Sequence, residues 1–278
     1  MLVVTPFRWD LSRRESLGRL ISGDRARAYE ELVSDLLGCI ARLLAQAGEA
    51  ELIFVGRSPE SIFDLMSGLL AETSWAPRLA LLNLSVRSLT AEELRALPHE
   101  RGALRELLAG AGLSPVELMR RKLPAVLIDL VYEGRTFATL AESLLDWSRD
   151  CDIDSRAVVK SLRFLGITEQ TKTSPKTWRW QQNWTWTRSL APRAIRNVSV
   201  PARLWRYLGN EQAKVAVSSP PHTWRDPQLR TPPRDATASS AALRGGACAP
   251  IGHSTDEGNI TSTPLQFETP SPRSAAAR

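Results

Sequence analysis

Apolar positions along the first 168 residues recur with two periods that alternate. Tyr29, Leu32, Leu36, Leu37, Ile40, Leu43 and Leu44 return at helical spacing, and Gly48 follows, so the pattern predicts an amphipathic helix over 26–47. Glu51 to Val55 is then a short apolar run, as in a buried strand, and Ile62, Leu65, Met66, Leu69 and Leu70 restore the helical period over 59–71. The same alternation continues. A second strand lies within Arg78–Val86, and a helix over 90–97 opens on the capping box Thr90-x-x-Glu93. Short helices are predicted near 104–109 and 115–121, a strand over 124–131, a helix over 136–149 and a strand at Arg163–Ile167. Strands that alternate with helices predict an α/β fold: a mostly parallel sheet with right-handed crossovers, flanked by helices.

Past Thr168 the pattern changes. Trp178, Trp180, Trp184 and Trp186 fall on even positions, so a strand or hairpin would put them on one face. This predicts a small Trp-rich β subdomain over 171–216. Residues 217–278 hold nine of the chain's 18 prolines with few apolar clusters, the composition of a disordered tail. Residues 1–24 read as a lead-in, and 25–170 as the α/β domain.

Charge is distributed unevenly. The net charge is +6, yet residues 171–214 carry nine Lys/Arg against one acid, Glu211. Tryptophans interleaved with arginines suit single-stranded nucleic acid, where each stacked base contributes about 1–3 kcal/mol. They equally suit core packing. No apolar run reaches 18 residues, and the N-terminus lacks the apolar core of a secretory signal. Three cysteines (Cys39, Cys151, Cys248) without metal-like spacing fit a reducing, cytoplasmic setting. A Gly-x-Ser-x-Gly elbow, a Walker lysine loop and a His-Glu-x-x-His pair are all missing, which sets those enzyme classes aside.

The densest chemistry lies in Pro124–Phe137. An apolar strand ends at Asp129, a loop carries Glu133, Gly134, Arg135 and Thr136, and a helix follows. Loop amides and a helix N-terminus at the carboxyl end of a buried strand favour an anion. A plainer account is punctuation, since buried parallel strands often end in Asp and pass through a Gly loop into a helix. Upstream, the strand at 51–55 stops at Gly56-Arg57-Ser58-Pro59, where Ser58 suits an N-cap and Pro59 the first helical position.

The two loops, in this order, resemble those of the type I phosphoribosyltransferases. The resemblance spans roughly residues 25–168. It implies that Asp129 accepts a ribose hydroxyl, that Glu133, Gly134, Arg135 and Thr136 hold a 5′-phosphate, and that Gly56, Arg57 and Ser58 hold pyrophosphate bridged by Mg²⁺. Trp178 and Trp180 would belong to the hood over a nitrogenous acceptor. The ligand implied is 5-phosphoribosyl 1-diphosphate or a related phosphorylated sugar or nucleotide. The chain departs from the family pattern at Ile128, where the first of two adjacent acids is expected, and at Glu133, a negative group beside a phosphate loop. Three functions stay open: a phosphoribosyltransferase, a non-catalytic phosphoribosyl sensor, and a single-stranded nucleic-acid binder acting through 171–214.

Overall fold

The structure, a computed structural model, describes residues 3–8, 30–170, 179–212 and 216–231. The expected parallel α/β architecture is present. Five parallel strands, β1 (Glu51–Val55), β2 (Leu79–Leu82), β3 (Ala125–Leu130), β4 (Leu162–Glu169) and β5 (Ile195–Val200), lie in the order β2-β1-β3-β4-β5. Helices α1 (Glu30–Ala47), α2 (Glu60–Leu69), α3 (Ala91–Arg95), α4 (Pro98–Gly110), α5 (Pro115–Arg120), α6 (Arg135–Asp150), α7 (Ser155–Lys160) and α8 (Ala202–Arg206) pack on its two faces. None of the described helices is long and apolar enough to cross a membrane.

The period-2 geometry of the strands sorts their side chains. Ile53, Val55, Leu127, Leu162 and Phe164 join residues of α3, α4, α5, α6 and α7 in one core. Leu52, Phe54, Val126, Ile128, Leu165 and Ile167 face the opposite way and join α1, α2 and α8. Strands buried on both faces must be continuously apolar, which is why 52–55 and 125–128 lack a polar residue. Cys39 lies in the second core, and burial pushes its thiol up to about 12.

Local signals placed most elements within a few residues. The Thr90–Glu93 box caps α3, with Thr90 N donating to Glu93 Oε2 at 2.7 Å. A second box, Ser114–Glu117, starts α5 and went unread in the sequence.

Two expectations need correction. Residues 171–216 do not form a separate β subdomain among the described residues. Trp180–Asn183 and Thr185–Ser189 are short 3₁₀ turns in the β4–β5 crossover, and Ile195–Val200 is the fifth strand of the main sheet. Within the lead-in, Val4 is buried and donates its amide to Trp224 O at 2.8 Å, and Arg8 bridges to Ala216. The tail does not begin at 217. Trp224 is 0% exposed within the first core, Leu229 is buried, and Ser85 N donates to Ser219 O at 2.8 Å. Residues 232–278, the remainder of the expected tail, lie outside the described residues.

Candidate functional site

The order β2-β1-β3 reverses direction between β1 and β3. The chain leaves β1 for one neighbour and returns through β3 on the other side, so the loops after these two strands diverge to opposite faces. In open α/β sheets that divergence makes a crevice at the carboxyl ends, where ligands bind. The β1 loop carries Gly56, Arg57 and Ser58, and the β3 loop carries Glu133, Gly134, Arg135 and Thr136. Direct pairing of β1 with β3, Phe54 opposite Ile128, brings the two loops to the same sheet edge.

The β3 loop is shaped by Gly134. Its φ of +82° is left-handed, and it serves as N-cap of α6 with no side chain capping the helix. Trp180 provides a second reason for glycine here, because its ring lies where a Cβ would be. Trp180 is buried, stacks against Phe137 at 5.5 Å and donates Nε1–H to Asn197 Oδ1 at 2.7 Å. Trp184 Nε1 donates to Glu133 O at 2.7 Å, fixing the same loop from outside. Glu133 turns outward and accepts from Arg135 Nε at 2.9 Å, both side chains well exposed. The pairing removes the sharpest objection to a phosphate at this loop. Thr136 is partly exposed at the first turn of α6.

Asp129 is 8% exposed, and its Oδ1 accepts from Leu130 N at 2.7 Å. It sits opposite Gly166 of β4 and, by strand alternation, shares the α6 side of the sheet. Ile128 points to the other side, fully buried beneath the α1 and α2 layer. The position where the resemblance expects an acid is therefore a core position in this chain.

The β1 loop is built differently from expectation. Helix α2 starts at Glu60, with Pro59 rather than Ser58 in the N-cap position and no capping side chain of its own. Gln212, which directly follows the five-residue π-turn Tyr207–Glu211 after α8, supplies the cap instead. Its Oε1 accepts from Ser61 N at 3.3 Å and from Ser61 Oγ at 2.5 Å. Its Nε2 donates to Ser58 O at 2.5 Å, to Arg57 O at 3.3 Å and to Leu208 O. Arg57 donates to Ala216 O at 3.5 Å. Burial lowers the pKa of its guanidinium from the ordinary value, with the charge of Glu60 opposing that shift. Glu60 is itself 1% exposed. No local motif announces Gln212, whose partners in the β1 loop and α2 are more than 150 positions away in sequence.

Two of the four tryptophans, Trp180 and Trp186, are core residues and cannot stack on bases. Trp178 lies outside the described residues. The exposed aromatic nearest the β3 loop is Tyr132, 57% exposed and 6.2 Å from the Trp205 ring. It lies two residues past the end of β3. Comparison with family models, with curated proteins and with solved structures finds no match for this chain.

Proposed function

We propose that this protein binds a phosphoribosyl ligand at the carboxyl edge of β1 and β3, in the manner of a type I phosphoribosyltransferase. The observation that supports the reading is the sheet reversal between those strands, with a left-handed glycine, Gly134, opening α6 just past the carboxyl end of β3. The 5′-phosphate would lie against the Glu133–Thr136 amides and the Thr136 hydroxyl, where helix amides and dipole favour negative charge. Asp129 would accept a ribose hydroxyl.

Binding without efficient transfer fits this chain better than catalysis. Phosphoribosyl transfer develops positive charge at the sugar, and carboxylates beside the ribose would stabilise it. Here Ile128 is sealed in the core, which leaves Asp129 to act without an adjacent acid from the same strand. Loss of that field reduces transition-state stabilisation more than ground-state binding. Among the described residues no group of three His, Cys, Asp or Glu side chains assembles that would hold the Mg²⁺ the resemblance implies.

The test is thermal unfolding of the full chain with millimolar ribose 5-phosphate and with 5-phosphoribosyl 1-diphosphate plus Mg²⁺, for wild type and Asp129→Asn. A rise in melting temperature with at least one of the ligands, diminished in the variant, is the expected result. Unmoved melting curves with both ligands reject the reading.

A further inference from the structure

Three arginines converge at the edge of the sheet opposite the crevice, where β4 and β5 begin. Arg163, Arg193 and Arg196 line one recess together with Gln46. Strand register accounts for the convergence. Phe164 pairs with Ile195 and Leu165 with Arg196, so Arg163 and Arg196 are each the second residue of adjacent strands. Both reach the C-terminus of α1, Arg163 Nη1 donating to Ala47 O at 3.2 Å and Arg196 Nη1 to Gln46 O at 3.1 Å. These bonds fix two guanidinium groups and use one of the five N–H donors on each.

Capping of α1 explains those two arginines. It does not explain Arg193, which is exposed and makes no hydrogen bond or ion pair among the described residues. None of the three has a carboxylate partner there. By contrast Glu49 and Glu51, at the start of β1 on the same edge, are held by Arg78 and Arg121. Lys122 and Lys160, both exposed, carry the positive charge to the starts of β3 and β4, which are joined by Ala125 N and Ser161 O at 2.8 Å. A row of like charges without a counter-charge attracts a polyanion. The recess encloses about 10 Å³, room for one water molecule, so a ligand lies across it rather than inside it.

We propose that this edge binds the phosphodiester backbone of a nucleic acid, with the guanidinium forks of Arg163, Arg193 and Arg196 on phosphate oxygens. Trp180 and Trp186 are buried, so the contact is electrostatic and independent of base sequence. Six residues of β4 separate Arg163 from Glu169 at the carboxyl edge, about 20 Å at the usual strand rise, which makes this surface distinct from the phosphoribosyl crevice.

The experiment is fluorescence anisotropy of a labelled oligothymidylate, alone and as its duplex with oligoadenylate, titrated with the full-length protein at several salt concentrations. The expected result is saturable binding that weakens with salt. For the single strand the log–log slope should be about −2 or steeper, from about −0.7 for each of three phosphate contacts. Arg193→Glu, which breaks no contact of the fold, should weaken binding at least about fivefold and flatten that slope by about one. Arg87→Glu makes the same charge change at an exposed position after β2 and should weaken binding less than about twofold. Absence of saturable binding by both probes at low salt would overturn the proposal, as would equal weakening by the two variants. Equal affinity for a polyglutamate of matched charge would overturn it as well, because the surface would then respond to charge alone.

Discussion

The ring of Trp180 occupies the space that a Cβ on Gly134 would fill. One glycine therefore serves two ends: it adopts the left-handed backbone that opens α6, and it admits the indole that holds the crossover against the sheet. Gly166, facing the same indole from β4, repeats the arrangement, since a Cβ there would meet Asn197 Oδ1 at 2.9 Å and Trp180 Nε1 at 3.3 Å. The loop expected to cradle phosphate is thus also a packing joint.

Gly134→Ala should be strongly destabilising for that reason. A side chain at φ +82° costs about 1–2 kcal/mol, and forcing the indole aside adds about 1–3 kcal/mol. Chemical denaturation should show the loss, and Trp180→Leu, which vacates the space, should return part of it in the double variant. An unchanged midpoint for Gly134→Ala would contradict the packing described.

Ile128→Asp is the substitution that would restore the family's paired acids, and the structure argues against it. Ile128 is 0% exposed beneath the α1 and α2 layer, so its replacement buries a carboxylate among Phe54, Val126 and Leu165. An uncompensated buried charge costs about 3–5 kcal/mol, against about 0.5–1.5 kcal/mol for the control Ile128→Val. Circular dichroism melts of both variants should separate them clearly. A well-folded Ile128→Asp with raised transferase activity would show that this strand can turn its face to the ligand.

Trp224 tests where the folded part ends. It is fully buried, donates Nε1–H to Ser219 O at 2.9 Å and receives Val4 N at its carbonyl. Trp224→Ala should cost about 3–5 kcal/mol. Truncation after Ala216 should cost at least as much, because Leu229 leaves with it and the 3–8 segment loses its pairing. Limited proteolysis of the truncated chain would check this. A truncation that melts with the full chain would return the tail boundary to residue 217.

The sequence made the strands and most helices readable because their evidence is local. Continuous apolar runs at 51–55 and 125–128 report burial on both faces, and Thr90–Glu93 reports a cap within four residues. The Trp-rich segment misled for a physical reason. Alternate tryptophans share a face in a strand, but short 3₁₀ turns can bury Trp180 and Trp186 against Phe137 and Phe164 without any strand. Proline-rich composition likewise hid Trp224, since one fully buried indole anchors a segment that an average over 62 residues calls polar. At the site, the loops flanking β1 and β3 were legible as loops. That Gln212 seals one of them was not, because the contact joins residues that chain spacing cannot relate.

Gln212 supplies the last test, because its amide alone fits both halves of its environment. Oε1 accepts from Ser61 N and Oγ, while Nε2 donates to the Ser58 and Arg57 carbonyls. Gln212→Ala removes the acceptor of Ser61 N, a buried donor, and one such orphan costs about 1–3 kcal/mol. Gln212→Glu keeps the shape but turns a carboxylate oxygen toward three carbonyl oxygens, so it should be at least as damaging despite its size. Hydrogen exchange reads the effect where it arises. The Ser61 amide should lose protection in Gln212→Ala, with smaller changes at Gly134 and beyond. Equal protection in wild type and both variants would mean that α2 does not depend on this cap.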